Sequence, residues 1–447
     1  MQAASRNPQP QLRRAIGRWS MVALAINCIV GSGIFGLPAT VAALLGRVSP
    51  LAVLIAGAGM GVIIACYAEV ASQFTATGGT YLYLRCAFGR LIGLQVGWMT
   101  LLTRLTACAA SLNLFVAYLG EFWPAATQPL PRLIVISAFL AAMGAVNYRG
   151  VGAGTLMSNL SATVKLLALG MVCVAGVAWL AAHPALAEAP RVVRSDDWLK
   201  AMLLMLFAYG GYESALNPMG EARNPRRDVA FALFVALAIV AALYVVLQLV
   251  VVATVADPAH SERPLADAAR VVLGPYGAVL ISIGALVSVY GYLSANLLTM
   301  PRSMFALAER GDFPAVFARV HPRFATPYVS IVAFALLMWV FTQFGSFSWN
   351  VTLSAVARVS YYLLVCAAVP VLRRMQPHAA AFRLPGGWLL PVLGIAICLV
   401  LLTGVDFGKS VVLLLTIGVA LVNWALVRRS GPGGPGALTP APPPAAP

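Results

Sequence analysis

The chain has 447 residues, 61% of them hydrophobic and only 10% charged, with 30 lysines and arginines against 14 acidic residues and a net charge of +16. Its mean hydropathy is +0.87. Soluble domains carry about 25% charged residues, so the composition excludes a water-soluble globular fold and reads as an all-α polytopic membrane protein. The positive charge is not a nucleic-acid footprint. With the N-terminus inside, the arginines gather in loops on the cytoplasmic side (Arg14, Arg18, Arg223, Arg226, Arg227, Arg373 and Arg374 among them). That is the positive-inside pattern: the charge orients the chain in a lipid bilayer and implies no nucleic acid.

Twelve apolar spans are predicted, at 19–45, 50–75, 89–119, 131–147, 155–182, 198–220, 229–256, 270–308, 327–345, 348–372, 387–405 and 409–427. Each is near the ~20 residues that cross the hydrocarbon of a membrane. Residues 1–18 read as a cytoplasmic N-terminal segment, 19–374 as a core of ten helices, and 375–429 as helices 11 and 12. The stretch 430–447, rich in Pro, Gly and Ala, reads as a disordered cytoplasmic tail. No cleavable signal peptide is apparent, because the first span is too long for an h-region and no A-x-A site follows it.

The first span is interrupted by Gly31-Ser32-Gly33, with Ile29 before it and Pro38 after it. Glycine in a helix interior costs about 1 kcal/mol relative to alanine, and unpaired backbone groups in lipid cost several kcal/mol each. Such a break survives when it lines a cavity, and its free amides at a positive helix end suit a carboxylate. Close packing of small residues is the competing explanation. Span 2 carries Glu69, expected in a structural hydrogen-bonding role. Span 3 carries Arg104, with Cys108 one turn on. Arg104 would grip an anionic group or pair with Glu213 or Glu69.

Span 5 holds Lys165, a lone ammonium whose burial is costly unless it is paired or neutral. Span 6 is interrupted at Phe207-Ala208-Tyr209-Gly210-Gly211-Tyr212-Glu213. Glu213, just past the break, is either a proton-responsive gate or half of a structural pair. Span 8 offers Asn296 as a pocket residue, and span 10 offers Arg358, expected toward the outer vestibule in a gate pair. The polar loop 257–270 is expected to form a short lid. Span 6 comes five spans after span 1, an odd step, so the two run in opposite directions, as an inverted repeat of spans 1–5 and 6–10 requires. Paired interruptions of this kind point to a transporter's central site.

Four stretches in register carry a family resemblance: Gly31-Ser32-Gly33-Ile34-Phe35 with Pro38; Tyr67-Ala68-Glu69 with Thr77-Gly78-Gly79-Thr80-Tyr81; Phe207 to Gly211 with Glu213, Glu221 and Asn224-Pro225-Arg226-Arg227; and Met300-Pro301-Arg302-Ser303 with Gly311-Asp312-Phe313-Pro314. The chain resembles a bacterial amino-acid permease of the amino acid–polyamine–organocation superfamily. The resemblance implies a five-plus-five inverted-repeat transporter fold with broken helices 1 and 6. It also implies alternating access in the bacterial cytoplasmic membrane.

It further implies that the substrate carboxylate sits on the Gly31, Ser32 and Gly33 amides. The carbonyls of Ile29, Phe207, Ala208 and Gly210 would face the α-amino group, and Phe207 would close over the cargo. Lys165 would take the place of a sodium ion. The expected activity is secondary active transport of an amino acid, neutral or acidic, without sodium, by proton symport or exchange. A polyamine or cationic amino-acid exchanger and a transport-dead sensor are the alternatives. The seven cysteines lack a C-x-x-C pair and read as packing residues. With no phosphate loop, no metal cluster and no nucleophile–base–acid set in the sequence, neither cofactor nor enzymatic activity is expected.

Overall fold

A backbone with no water to bond must satisfy itself, which in a chain this apolar means helices. The computed structural model describes residues 16–74, 78–150, 154–183, 194–376 and 380–427, with backbone only at 154–160 and 220. The tail expected at 430–447, Thr77 and nearly all of the expected N-terminal segment lie outside the described residues. Among those described, there are fifteen α-helices and no strand ladder, only an isolated bridge between Ile16 and Ala222.

In chain order the helices are α1 (Arg18–Ile29), α2 (Ser32–Leu45), α3 (Ser49–Ala71), α4 (Gly79–Phe88), α5 (Arg90–Leu119), α6 (Pro129–Arg149), α7 (Gly154–Ala182), α8 (Ser195–Tyr209), α9 (Pro225–Thr254), α10 (Pro264–Leu273), α11 (Pro275–Glu309), α12 (Tyr328–Phe344), α13 (Phe347–Met375), α14 (Leu389–Thr403) and α15 (Phe407–Val427). Eight helical stretches are long and apolar enough to cross a membrane: the α2–α3 run, α5, α6, α7, α9, α11, α13 and α15. α1, α12 and α14 are shorter apolar helices. Proline opens α3, α6, α9, α10 and α11, where its missing N–H costs nothing.

Two spans differ from the sequence expectation. The helix expected at 198–220 stops at Tyr209, and its second half is two 3-10 turns, Tyr212–Ser214 and Met219–Glu221. Gly211 adopts φ +109°, which ends the helix, and Pro218 follows without an N–H to donate. The helix expected from 270 begins at Pro275, because Gly274 turns the chain at φ +74°. The residues before it form α10 in place of a loop. Its Leu265, Ala266, Ala268 and Ala269 are fully buried, and the helix packs on α2, α7, α9 and α11.

α5 and α13 pack along each other at the centre, with α11, α4, α12 and α15 also against α5. α6 and α15 turn Leu130, Ile134, Leu414 and Leu415 outward, as a lipid-facing surface requires. Polar ties close the two ends. At the end where α1 starts, Arg18 Nε donates to Asp228 at 3.0 Å. Glu69 takes a bidentate pair from Arg373 at 2.6 and 2.7 Å and the Leu384 amide at 2.8 Å. There too, Asp312 accepts from Arg85 at 2.5 Å, Arg90 at 2.7 Å and the Tyr81 hydroxyl. Burial, together with that hydrogen bond to a carboxylate, pushes the Tyr81 phenol up to about 12. At the other end Glu121 pairs with Arg270 at 2.6 Å and Arg263 at 3.0 Å.

Candidate functional site

The two predicted breaks exist and face each other. α1 ends at Ile29 and α2 restarts at Ser32, with Gly31 extended at φ −115°, ψ −150°. The glycines show how close the approach is. A Cβ on Gly33 would lie 3.0 Å from the Ala208 Cα, and one on Gly211 would collide with the Cys28 carbonyl. The first turn of α2 therefore rests on the last turn of α8. From α9, the Tyr244 hydroxyl lies between two carbonyls freed by the breaks, 3.3 Å from Ile29 O and 3.2 Å from Ala208 O.

Lys165 reaches the same region from α7. Its ammonium donates to Asn27 O at 2.9 Å and Val30 O at 2.5 Å, with the residue only 5% exposed. The side chain thus replaces helix hydrogen bonds that the span 1 break removes. On the other side of that break, Ser111 of α5 donates to the Ser32 hydroxyl at 2.8 Å.

Beyond the span 6 break lies a buried ionic cluster centred on Glu213. Its carboxylate accepts from the Gly211 amide at 2.9 Å and from the Tyr361 and Tyr362 hydroxyls, each at 3.2 Å. Arg358 Nε stands 3.3 Å from it and Arg104 Nη2 3.5 Å. Arg104 also donates to the Ser214 hydroxyl. Arg358 donates to the Phe207 carbonyl at 3.3 Å, and its guanidinium carbon lies 5.7 Å from the centre of the Phe207 ring, within cation–π range. A Cβ on Gly210 would strike this guanidinium, which explains the first glycine of the Gly210–Gly211 pair. The sequence placed Arg358 toward the outer vestibule; it lies instead against the span 6 break, because α13 packs against α8.

A small cavity lies between the breaks, with about 20 Å³ accessible to the centre of a water molecule, roughly room for one. Ile29, Gly31, Ser32, Gly33, Arg104, Phe207, Ala208, Gly210 and Arg358 line it, together with Cys28, Ala107, Gly211 and Tyr292. Lys165 and Glu213 bond the broken backbone from outside its wall. Cys108 and Asn296 are not brought to the cavity. Their neighbours Ala107 and Tyr292 on the same helices are, and the Asn296 amide turns back to the Tyr292 carbonyl at 2.9 Å.

Tyr244, Ser111, Ser214 and the Tyr361–Tyr362 pair escaped the sequence reading. One signal was available: both tyrosines lie three or four residues after Arg358, hence on its helix face. Among the described residues, no group of three or more His, Cys, Asp or Glu could hold a metal.

The amino acid permease family model matches residues 16–425. The chain is 29% identical over 400 residues to the serine/threonine exchanger SteT of Bacillus subtilis, covering 86% of this chain and 89% of that protein. It is 25% identical to the methylthioribose transporter of the same organism, covering 89% of each, and 24% identical to its branched-chain amino acid permease BcaP, covering 95% of each. The chain belongs to the amino acid permease family: it is a multi-pass membrane transport protein and not an enzyme.

Proposed function

We propose that this permease is a secondary active transporter that carries an amino acid, neutral or acidic, across the bacterial cytoplasmic membrane by alternating access. Its twelve spans form the five-plus-five inverted repeat, with α1–α2 and α8 with its following turns as the broken first and sixth spans. Both termini are cytoplasmic. The observation that carries this reading is the pair of facing breaks with a small cavity between them. A backbone opened in lipid is stable only where it lines such a space. The relatives named as amino-acid transporters support the same cargo class.

Lys165 supports sodium independence. Its ammonium already holds two carbonyls at the span 1 break, so no metal cation is needed there, and coupling falls to protons or to exchange. Two guanidiniums on the cavity wall oppose a polyamine or a cationic side chain, since each stays charged and repels it. Counterflow in proteoliposomes tests the reading. Labelled serine, leucine or aspartate accumulates against an internal pool, equally well when choline replaces sodium. Absence of saturable counterflow for every amino acid tested overturns it, and a strict sodium requirement overturns the role of Lys165.

A further inference from the structure

We propose that the cavity takes a cargo of net negative charge: a carboxylate compound whose charge is not cancelled by its own ammonium. The proposal rests on the transport reading above and narrows its cargo. Arg104 and Arg358 both line the cavity, 6% and 2% exposed, against a single carboxylate, Glu213. That carboxylate lies outside the lining, held by an amide and two tyrosines. The cluster therefore carries one uncompensated positive charge. Buried charge is costly unless it is paired, and an anion entering the cavity supplies the missing partner.

Hydrogen bonding points the same way. Two of the four carbonyls that would receive a cargo's ammonium are engaged by the protein itself: Phe207 O accepts from Arg358, and the single Tyr244 hydroxyl proton serves one of Ile29 O and Ala208 O, 3.3 and 3.2 Å away. The donors, by contrast, are in surplus. Arg358 Nε, buried, makes no hydrogen bond among the described residues and has only its 3.3 Å ion pair with Glu213. The N-terminus of the 14-residue α2 reaches the same wall with no side chain capping it. A guanidinium and free amides on one wall match the two oxygens of a carboxylate, whereas a neutral zwitterion brings no net charge and leaves the extra positive charge of the cluster uncancelled.

The test uses full-length protein in proteoliposomes and a competitor panel in three charge classes: alanine and leucine (neutral), arginine (cationic), and aspartate, glutamate, pyruvate and 2-oxoglutarate (anionic). Label-free binding in detergent is measured alongside. The expected result is that an anion competes at least about tenfold better than any neutral member, and that Arg358→Gln shrinks this ratio about tenfold. Glu213→Gln, which leaves both guanidiniums uncompensated, widens it. Should Arg358→Gln fail to fold, the wild-type panel and Glu213→Gln decide.

Aspartate or glutamate ahead of the oxo acids identifies an anionic amino acid as cargo. The reverse order identifies an organic acid without an amine; either supports the proposal. Uptake of alanine or leucine with the anions inert overturns it while leaving amino-acid transport standing. Silence across the whole panel, in binding and in uptake, overturns both.

Discussion

Replacing Lys165 by methionine keeps most of the side-chain volume and removes only the ammonium. Two buried carbonyls, Asn27 O and Val30 O, then lose donors at 2.9 and 2.5 Å. An orphaned buried acceptor costs about 1–3 kcal/mol, so the two together cost roughly 2–6 kcal/mol in the geometry of the break. Each 1.4 kcal/mol is tenfold in population. Even the lower figure cuts the correctly opened span 1 by more than about tenfold, and uptake falls with it. The assay is initial-rate uptake at matched protein density, with thermal unfolding in detergent followed by tryptophan fluorescence. Transport below about one-tenth of wild type with a lowered melting temperature is expected. Wild-type rates with unchanged melting would refute the argument that Lys165 completes the broken backbone.

Gly211→Ala places a Cβ against the Cys28 carbonyl at a backbone angle of φ +109°; overpacking of this kind costs about 1–3 kcal/mol. Uptake is expected to fall by about fivefold or more while the protein still reaches the membrane. Glu69→Gln breaks the bidentate pair with Arg373, and removing one partner of a buried pair costs about 3–5 kcal/mol; a lower yield of monodisperse protein on size-exclusion chromatography checks it. Tyr81 is held up to about 12 by burial and by Asp312, above the free phenol at about 10. The stability that this raised value contributes is present below pH ~10 and lost as pH rises through about 12. Tyr81→Phe should therefore leave the shape of the uptake–pH profile between about pH 5.5 and 8 unchanged, and a moved profile would contradict this.

Both breaks were legible in the sequence because each rests on glycines that nothing else in a membrane helix calls for. Gly33 admits α8, Gly210 admits Arg358, and Gly211 admits the Cys28 carbonyl. Lys165 stood out in the sequence as a lone buried ammonium, and it donates to the carbonyls of the unwound span 1. Three things were not legible. The second half of span 6 reads as apolar, yet the positive φ of Gly211 and the ring of Pro218 break it into 3-10 turns. The position of Arg358 depends on how α13 crosses α8, which no local pattern encodes. Ala107 reaches the cavity in place of Cys108 because a helix turns about 100° per residue, and Tyr292 does so in place of Asn296, one turn away on the same face, because packing sets which level of α11 lies at the cavity.

The account's central claim is that the cargo sits between the two breaks, and native Cys28 on the cavity wall reports on it directly. With the other six cysteines replaced by alanine or serine, the rate at which a small membrane-permeant maleimide labels Cys28 is measured with and without a saturating mixture of amino acids. The account predicts that the mixture slows labelling severalfold, and that Gly211→Ala abolishes the protection. Labelling that proceeds equally fast in both conditions, in protein shown to transport, would place the cargo elsewhere.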